Sequence, residues 1–177
     1  MTYPWTSGDV LTAADLNDYA GLVLVKTQTV GTGVSSVTVT DAFSSTFDNY
    51  RIVMAGVDCS AANNNVYFQL SGLTTSYYFS GIYVAGAGAP ANHYGNNVSS
   101  FICGRTGTVD ATTLVIDVMS PNLGQRVAMQ AVGSANLQSY LVNGFAQTGT
   151  AYTAFVIGVS GGTMTGGTIR VYGYNNG

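Results

Sequence analysis

Val66-Tyr67-Phe68-Gln69-Leu70 places apolar residues at its first, third and fifth positions, with Tyr and Gln between them. Side chains two residues apart on a β-strand point to the same face of a sheet, so this stretch predicts a strand with one buried face. The same period of two appears at Val37 and Val39 and again at Ile169 and Val171. Recurrence of this pattern along the chain predicts an all-β fold.

Eleven such segments follow one another, separated by turns rich in Gly, Asn, Ser and Thr. This spacing is typical of a sandwich or barrel, and we predict a jelly-roll-like antiparallel β-sandwich. The predicted strands are Leu22 to Gln28, Val34 to Val39, Asn49 to Val57, Val66 to Ser71, Tyr77 to Val84, Val98 to Cys103, Thr112 to Met119, Gln125 to Val132, Ser139 to Phe145, Thr153 to Val159 and Gly167 to Tyr174.

Turns and loops are predicted where the strand pattern breaks. The glycine pairs Gly161-Gly162 and Gly166-Gly167 supply the positive φ angles that tight turns need. The polar run Asn63 to Asn65 and the Gly/Ala-rich segment Ala85 to Gly95 are predicted to be exposed loops at one end of the sandwich.

The N-terminal segment differs from the rest of the chain. Thr12 followed three residues later by Asp15 resembles a helix capping box, which predicts one short helix from Thr12 to about Tyr19. Gly21 is a plausible C-terminal stop for that helix. We therefore predict an N-terminal arm over residues 1–21 and a β-sandwich domain over residues 22–177.

Composition excludes several classes of function. Charged residues make up 7% of the chain, the net charge is −3, and the five cations are spread out, so no polybasic patch favours nucleic-acid binding. The N-terminus lacks the features of a signal peptide, and no apolar run is long enough to predict a membrane span. Without an export signal, Cys59 and Cys103 are expected to be reduced thiols.

Catalytic groups are scarce. The single histidine, His93, lies in the predicted Ala85 to Gly95 loop without a nucleophile motif, and one His with two distant Cys does not predict a metal site. Glycoside hydrolysis needs two carboxylates flanking one bond, and nothing in the sequence pairs Asp58, Asp110 or Asp117. We expect no enzyme activity, no cofactor and no metal.

Twelve tyrosines are the remaining unusual feature. Several lie close together in sequence, and Tyr offers a large contact area with a polar tip, which suits protein interfaces and stacking on sugar rings. Packing in the core or between subunits is the alternative, because aromatic residues are common in strands. The candidate glycan or partner contacts are Tyr77, Tyr78, Tyr83, His93 and Tyr94.

The segment from Trp5 to Asn17, WTSGDVLTAADLN, resembles the W-x-x-G-D-x-L-T-A-A-D-L-N segment near the start of many tailed-bacteriophage tail-fibre and other virion proteins. Phe47 to Val53 and Gly167 to Tyr174 are similar to the first and last strands of β-domains in phage appendage proteins. The resemblance implies a homotrimeric component of the virion outer surface, made in the host cytoplasm. Its arm would dock to the particle through apolar side chains, here Pro4, Trp5, Val10, Leu11 and Leu16.

Two functions remain open within that class, and a third lies outside it. In the first, the chain is a non-catalytic capsid cement or decoration protein whose arm contacts the major capsid protein or another virion protein. In the second, it is a tail-fibre adhesin that recognises host-surface carbohydrate. A small polysaccharide depolymerase is the third. We favour the first, because no shaft of heptads or repeats follows the arm.

Overall fold

A computed structural model describes residues 8, 10, 12, 21–86, 88–108, 111–135 and 137–175. These residues form thirteen strands, and all of their pairings are antiparallel. The strands are β1 (Leu22–Thr29), β2 (Ser36–Val39), β3 (Asn49–Cys59), β4 (Asn65–Leu70), β5 (Tyr77–Ala85), β6 (Ala91–Val98), β7 (Phe101–Arg105), β8 (Thr112–Met119), β9 (Val127–Ala135), β10 (Gln138–Ala146), β11 (Phe155–Val159), β12 (Met164–Thr165) and β13 (Thr168–Tyr174).

The strands make two sheets that enclose one core. The large sheet has the order β1-β13-β3-β8-β9-β10-β5-β6, with the short β12 paired to β3, and the small sheet has the order β2-β11-β4-β7. Rings from both sheets meet between them: Phe79 of the large sheet lies 5.6 Å from Phe101 of the small sheet, edge to face. The fold is therefore an all-β antiparallel sandwich.

The core forms where the alternating apolar residues of the two sheets meet. Phe68, Phe155 and Phe43 are at most 2% exposed, and the Phe155 ring lies 5.3 Å from Phe68 and 5.5 Å from Phe43. Val66 and Leu70, on the same face as Phe68, are fully buried. The predicted inward faces of β2, β4 and β13 are confirmed.

Three of the four glycines predicted to have positive φ angles do so. The prediction is wrong for Gly161, whereas Gly162, Gly166 and Gly167 have φ angles of +74°, +69° and +74°. Most other residues are disfavoured there, because a Cβ atom collides with the following carbonyl in this region of φ. A Cβ atom at Gly167 would also lie 2.5 Å from the backbone oxygen of Ala55. Both the positive φ angle and the lack of space therefore require glycine at this position.

The prediction of a loop from Ala85 to Gly95 is wrong for the second half of this segment. Residues 91–98 form β6, the edge strand of the large sheet, paired with β5 from Tyr83↔Ala91 to Tyr77↔Val98. Its sequence, ANHYGNNV, is mostly polar because an edge strand with much exposed surface does not need an apolar face. The two-residue strand β12 was also missed.

The run Asn63 to Asn65 and the start of the Ala85 to Gly95 segment lie at the same end of the sandwich. The side-chain amide of Gln138 donates a 2.7 Å hydrogen bond to the Asn63 side-chain oxygen. The amide of Gly86 donates a 2.7 Å bond to the carbonyl of Leu137, which closes the same end. Asn63 and Asn64 lie in the turn, whereas Asn65 begins β4.

The N-terminal predictions stay untested. Of the predicted helix from Thr12 to about Tyr19, only Thr12 lies inside the described residues, and it has no regular secondary structure. The boundary between an arm over residues 1–21 and a domain over residues 22–177 is likewise a prediction.

Candidate functional site on the outer face of the large sheet

The large sheet exposes a row of apolar side chains on the face that points away from the core. Ile82 of β5 lies opposite Leu141 of β10, which lies opposite Val132 of β9. These three side chains are 47%, 40% and 51% exposed. The register continues through Val115 of β8 to Val53 of β3, both half-buried. We call these five residues the apolar band.

Strand alternation explains why the band is exposed. In β10, Tyr140 and Val142 point into the core and are at most 5% exposed, whereas Leu141 and Asn143, which alternate with them, are exposed. Because strand side chains alternate strictly, residues that pair in register across several strands form a row on one face. The band is such a row across five neighbouring strands.

An aromatic depression lies beside the band. Tyr78 of β5 stacks on Phe145 of β10 with ring centroids 5.1 Å apart and planes 17° apart. The Arg126 guanidinium lies 4.7 Å from the centre of the same Phe145 ring, on the side of β9. We define the aromatic depression as the shallow space of about 520 Å³ next to these rings. Its lining is Tyr78, Phe79, Ser80, Gly95, Asn96, Asn143, Gly144 and Phe145.

A charged cluster lies on the same face towards the other side of the sheet. Arg51 of β3 donates two hydrogen bonds to Asp117 of β8, each 2.8 Å, and the Tyr174 hydroxyl donates a third at 2.7 Å. The hydrogen bonds from Arg51 hold the pKa of Asp117 below its ordinary value, although partial burial of the carboxyl opposes this. A bidentate pair of this kind fixes the register of β3 against β8.

We expect Asp117→Asn to lower the free energy of unfolding by about 1–2 kcal/mol at neutral pH, less than a fully buried pair because Arg51 is 37% exposed. Since the pKa of Asp117 is lowered by folding, its stabilisation is fully present above the unfolded value of about 3.9 and is lost as the pH falls through the folded value. Urea unfolding of both proteins from pH 7 down to pH 3 measures the difference.

The matched control is Asp58→Asn, which alters an exposed carboxyl on the same β3 strand. It is expected to change the free energy of unfolding by less than about 0.5 kcal/mol at any of these pH values. A difference between wild type and Asp117→Asn that persists unchanged down to pH 3 would contradict the assigned role of the Asp117 carboxylate.

The predicted aromatic contacts are divided between the two faces. Tyr77 is fully buried, and its hydroxyl oxygen accepts a 2.7 Å hydrogen bond from the Leu70 amide. Tyr83 stacks on the buried Tyr140 with centroids 5.9 Å apart, under Arg105 of the small sheet. Tyr77 and Tyr83 therefore belong to the packing between the sheets.

The other tyrosines of that set face outwards. Tyr78 lines the aromatic depression, and Tyr94, which is 78% exposed, lies opposite Ser80 across the β5–β6 pair. The structure thus brings two of the five predicted contacts, Tyr78 and Tyr94, to one surface.

His93 is a packing residue rather than part of that surface. It stacks on Phe79 with ring centroids 5.3 Å apart, and its Nε2 atom is buried without a hydrogen-bond partner. Burial lowers the pKa of His93, and the positive charge of Arg105 adds to the effect. The imidazole is therefore held in its neutral form against the core aromatic rings.

The predicted docking residues Pro4, Trp5, Leu11 and Leu16 lie outside the described residues. Val10 is described and is 84% exposed. Both cysteines are buried free thiols, and burial raises the pKa of Cys103 far above its ordinary value. The raised pKa keeps that thiol protonated and unreactive.

Sequence reasoning missed Ile82, Val132 and Leu141, and also Phe145 and Asn143 of the depression. Alternation within β5, β9 and β10 could have placed each of them on the face opposite the buried residues Tyr77, Ala131 and Tyr140. Their alignment into one row could not be predicted, because it depends on the pairing register between strands that are distant in sequence.

Two further observations concern the described part of the chain. It contains no helix long and apolar enough to cross a bilayer. Nor does it hold three or more His, Cys, Asp or Glu side chains grouped closely enough to bind a metal ion. In comparisons with protein-family models, with curated proteins and with solved structures, the chain matches none of them.

Proposed function

We propose that the β-domain is a jelly roll with two inserted hairpins. Support comes from the strand order: β1-β13-β3-β8 faces β2-β11-β4-β7 once the hairpins β5–β6 and β9–β10 are set aside. Eight strands that alternate between two four-stranded sheets in this order form two Greek keys, as a jelly roll does. Both hairpins extend the large sheet beyond β8, and they carry the three most exposed residues of the apolar band.

We propose further that the chain is a non-catalytic structural protein of the outer surface of a tailed-phage particle. It acts as a homotrimeric cement or decoration knob. The observation that carries this proposal is the apolar band, because monomeric proteins rarely leave large contiguous apolar patches in water. In this proposal other subunits cover the band, and the arm residues Trp5 and Leu11 dock to the major capsid protein or another virion protein.

The contacts of the ionisable side chains support a structural role. Asp117 is held by Arg51 and Tyr174, and His93 is packed on Phe79. A general acid or base must reach a substrate in a cleft with a pKa close to the working pH. These contacts instead use the groups to join strands.

The second candidate is a tail-fibre adhesin, and the aromatic depression favours it. Sugar rings present C–H faces that pack on aromatic rings, and their hydroxyls pair with amides and hydroxyls. Tyr78 and Phe145 offer the rings, while Ser80, Asn96 and Asn143 offer the polar groups. The host-surface carbohydrate would lie across β5 and β10.

Deletion of the gene from its phage separates the two candidates. If the chain is a cement protein, filled particles without it will lose infectivity on heating well before wild-type particles, and they will adsorb normally to host cells. The two measurements are the infectious titre after graded heating and the fraction of particles bound to cells. Normal heat tolerance together with lost adsorption would contradict the cement function and support the adhesin.

A further inference from the structure

We propose that the apolar band is the surface through which this chain associates with further copies of itself. The proposal rests on the proposed function, since it names the partner that covers the exposed face of the large sheet. Two features support a second copy as the occupant: the extent of the sheet face around the band, and the lack of charge beside the band on β5, β10 and β9.

The sheet face around the band is large enough for a subunit contact. Strands lie about 4.8 Å apart and rise about 3.4 Å per residue, so the outer face of these five strands, with the band and about seven residues of each strand, covers roughly 600 Å². A contact that covered this area on each partner would bury about 1,200 Å² in total, which is the lower limit for a specific, stable interface. Val132 lies in the middle of the band with Leu141 beside it, where the most apolar residues of an interface are found.

The charge of the face favours an identical partner. The positions beside the band on β5, β10 and β9 are Ser80, Asn143 and Gln130 on one side and Val84, Ser139 and Ser134 on the other. All six are uncharged. Two copies bring the same charges towards each other, so an uncharged surface avoids the like-charge repulsion that would oppose self-association.

The charges beside the band lie at its β3 end. Arg51 and Asp117 are joined by two hydrogen bonds of 2.8 Å, and the exposed Arg170 of β13 lies opposite Val53. Over β5, β10 and β9 a strongly charged partner would find no carboxylate or guanidinium beside the band to recognise. Aliphatic side chains such as Leu141 also lack the flat ring on which a sugar stacks, and this separates the band from the aromatic depression.

Substitution of an exposed residue of the band tests the proposal. Leu141→Lys places a charge between Ile82 and Val132 on an outward side chain, so the fold is retained while association is lost. The matched control is Leu123→Lys, which alters a similarly exposed leucine (46%) in the turn after β8. Sedimentation equilibrium of the full chain over a wide concentration range gives the mass, and circular dichroism verifies the fold.

We expect the wild type and Leu123→Lys to form assemblies of three times the 18.3 kDa chain mass. Leu141→Lys should sediment as a single chain, with association weakened at least about tenfold. Val132→Thr is the second variant, because it keeps the branched shape of valine and replaces one methyl group of the band with a hydroxyl. It is expected to weaken association by a smaller factor, even if Leu141→Lys does not fold.

Two results would overturn the proposal. One is a wild-type protein that remains a single chain at every concentration, whether or not it binds a host polysaccharide through the aromatic depression. The other is assembly of Val132→Thr and folded Leu141→Lys that equals the wild type. A dimer disrupted by these variants would support the band as the self-association surface, while contradicting the trimer of the proposed function.

Discussion

Phe155→Ala is expected to lower the free energy of unfolding by about 3–5 kcal/mol, the usual cost of removing a buried ring. Phe155 is fully buried in the small sheet, and its ring packs on Phe68 at 5.3 Å and on Phe43 at 5.5 Å. Phe68 lies in β4 and Phe43 in the loop after β2. Because the backbone holds both rings in place, they cannot move together to fill the cavity. Urea unfolding at one fixed protein concentration measures the effect and keeps any change in assembly constant.

The control for this prediction is Tyr94→Ala on β6. Tyr94 is 78% exposed, so its removal should change the free energy of unfolding by less than about 0.5 kcal/mol. A loss below about 1.5 kcal/mol for Phe155→Ala would show that the two sheets do not pack around this ring cluster.

Gly167→Ala is expected to cost about 2–5 kcal/mol, from two sources. The positive φ of +74° strains any residue with a Cβ atom, at about 1–2 kcal/mol. The new Cβ would also lie 2.5 Å from the Ala55 oxygen and 2.6 Å from the Gly56 backbone, which cannot move without breaking the β3–β13 pairing.

Gly166→Ala isolates the second source. Gly166 has a similar φ of +69°, but the nearest atom to a Cβ there is the Gly56 oxygen at 3.9 Å. The cost should therefore be about 1–2 kcal/mol, from backbone strain alone. Equal losses for the two variants, measured by urea unfolding, would contradict the close approach of Gly167 to β3.

The strands with a clear period of two were predictable from sequence. Thr112–Met119 was predicted with the bounds that the structure gives, because apolar residues at Leu114, Ile116 and Val118 alternate without interruption. Branched apolar side chains buried on one face leave a signal that does not depend on the neighbouring strands.

Strand β6 could not be predicted in the same way. Its residues Asn92, His93 and Tyr94 alternate between outward and inward positions without an apolar period, because an edge strand is half covered. Its only strong constraint is the pairing with β5, which is a tertiary contact.

The division of the tyrosines was partly readable from sequence. Tyr77 and Tyr78 are adjacent in one strand, so strict alternation places them on opposite faces. The two residues are close in sequence, but their side chains do not form one cluster. The apolar band shows the converse, since Ile82 and Leu141 are distant in sequence and become neighbours only through the β5–β10 register.

The central claim, a structural protein of the phage exterior, is tested most directly by the copy number of the chain in purified particles, relative to the major capsid protein. Quantitative mass spectrometry of the purified particles gives this ratio. The cement function predicts hundreds of copies per particle. A handful to a few tens would contradict the cement function and place the chain on the tail, and its absence from purified particles would contradict any structural role in the virion.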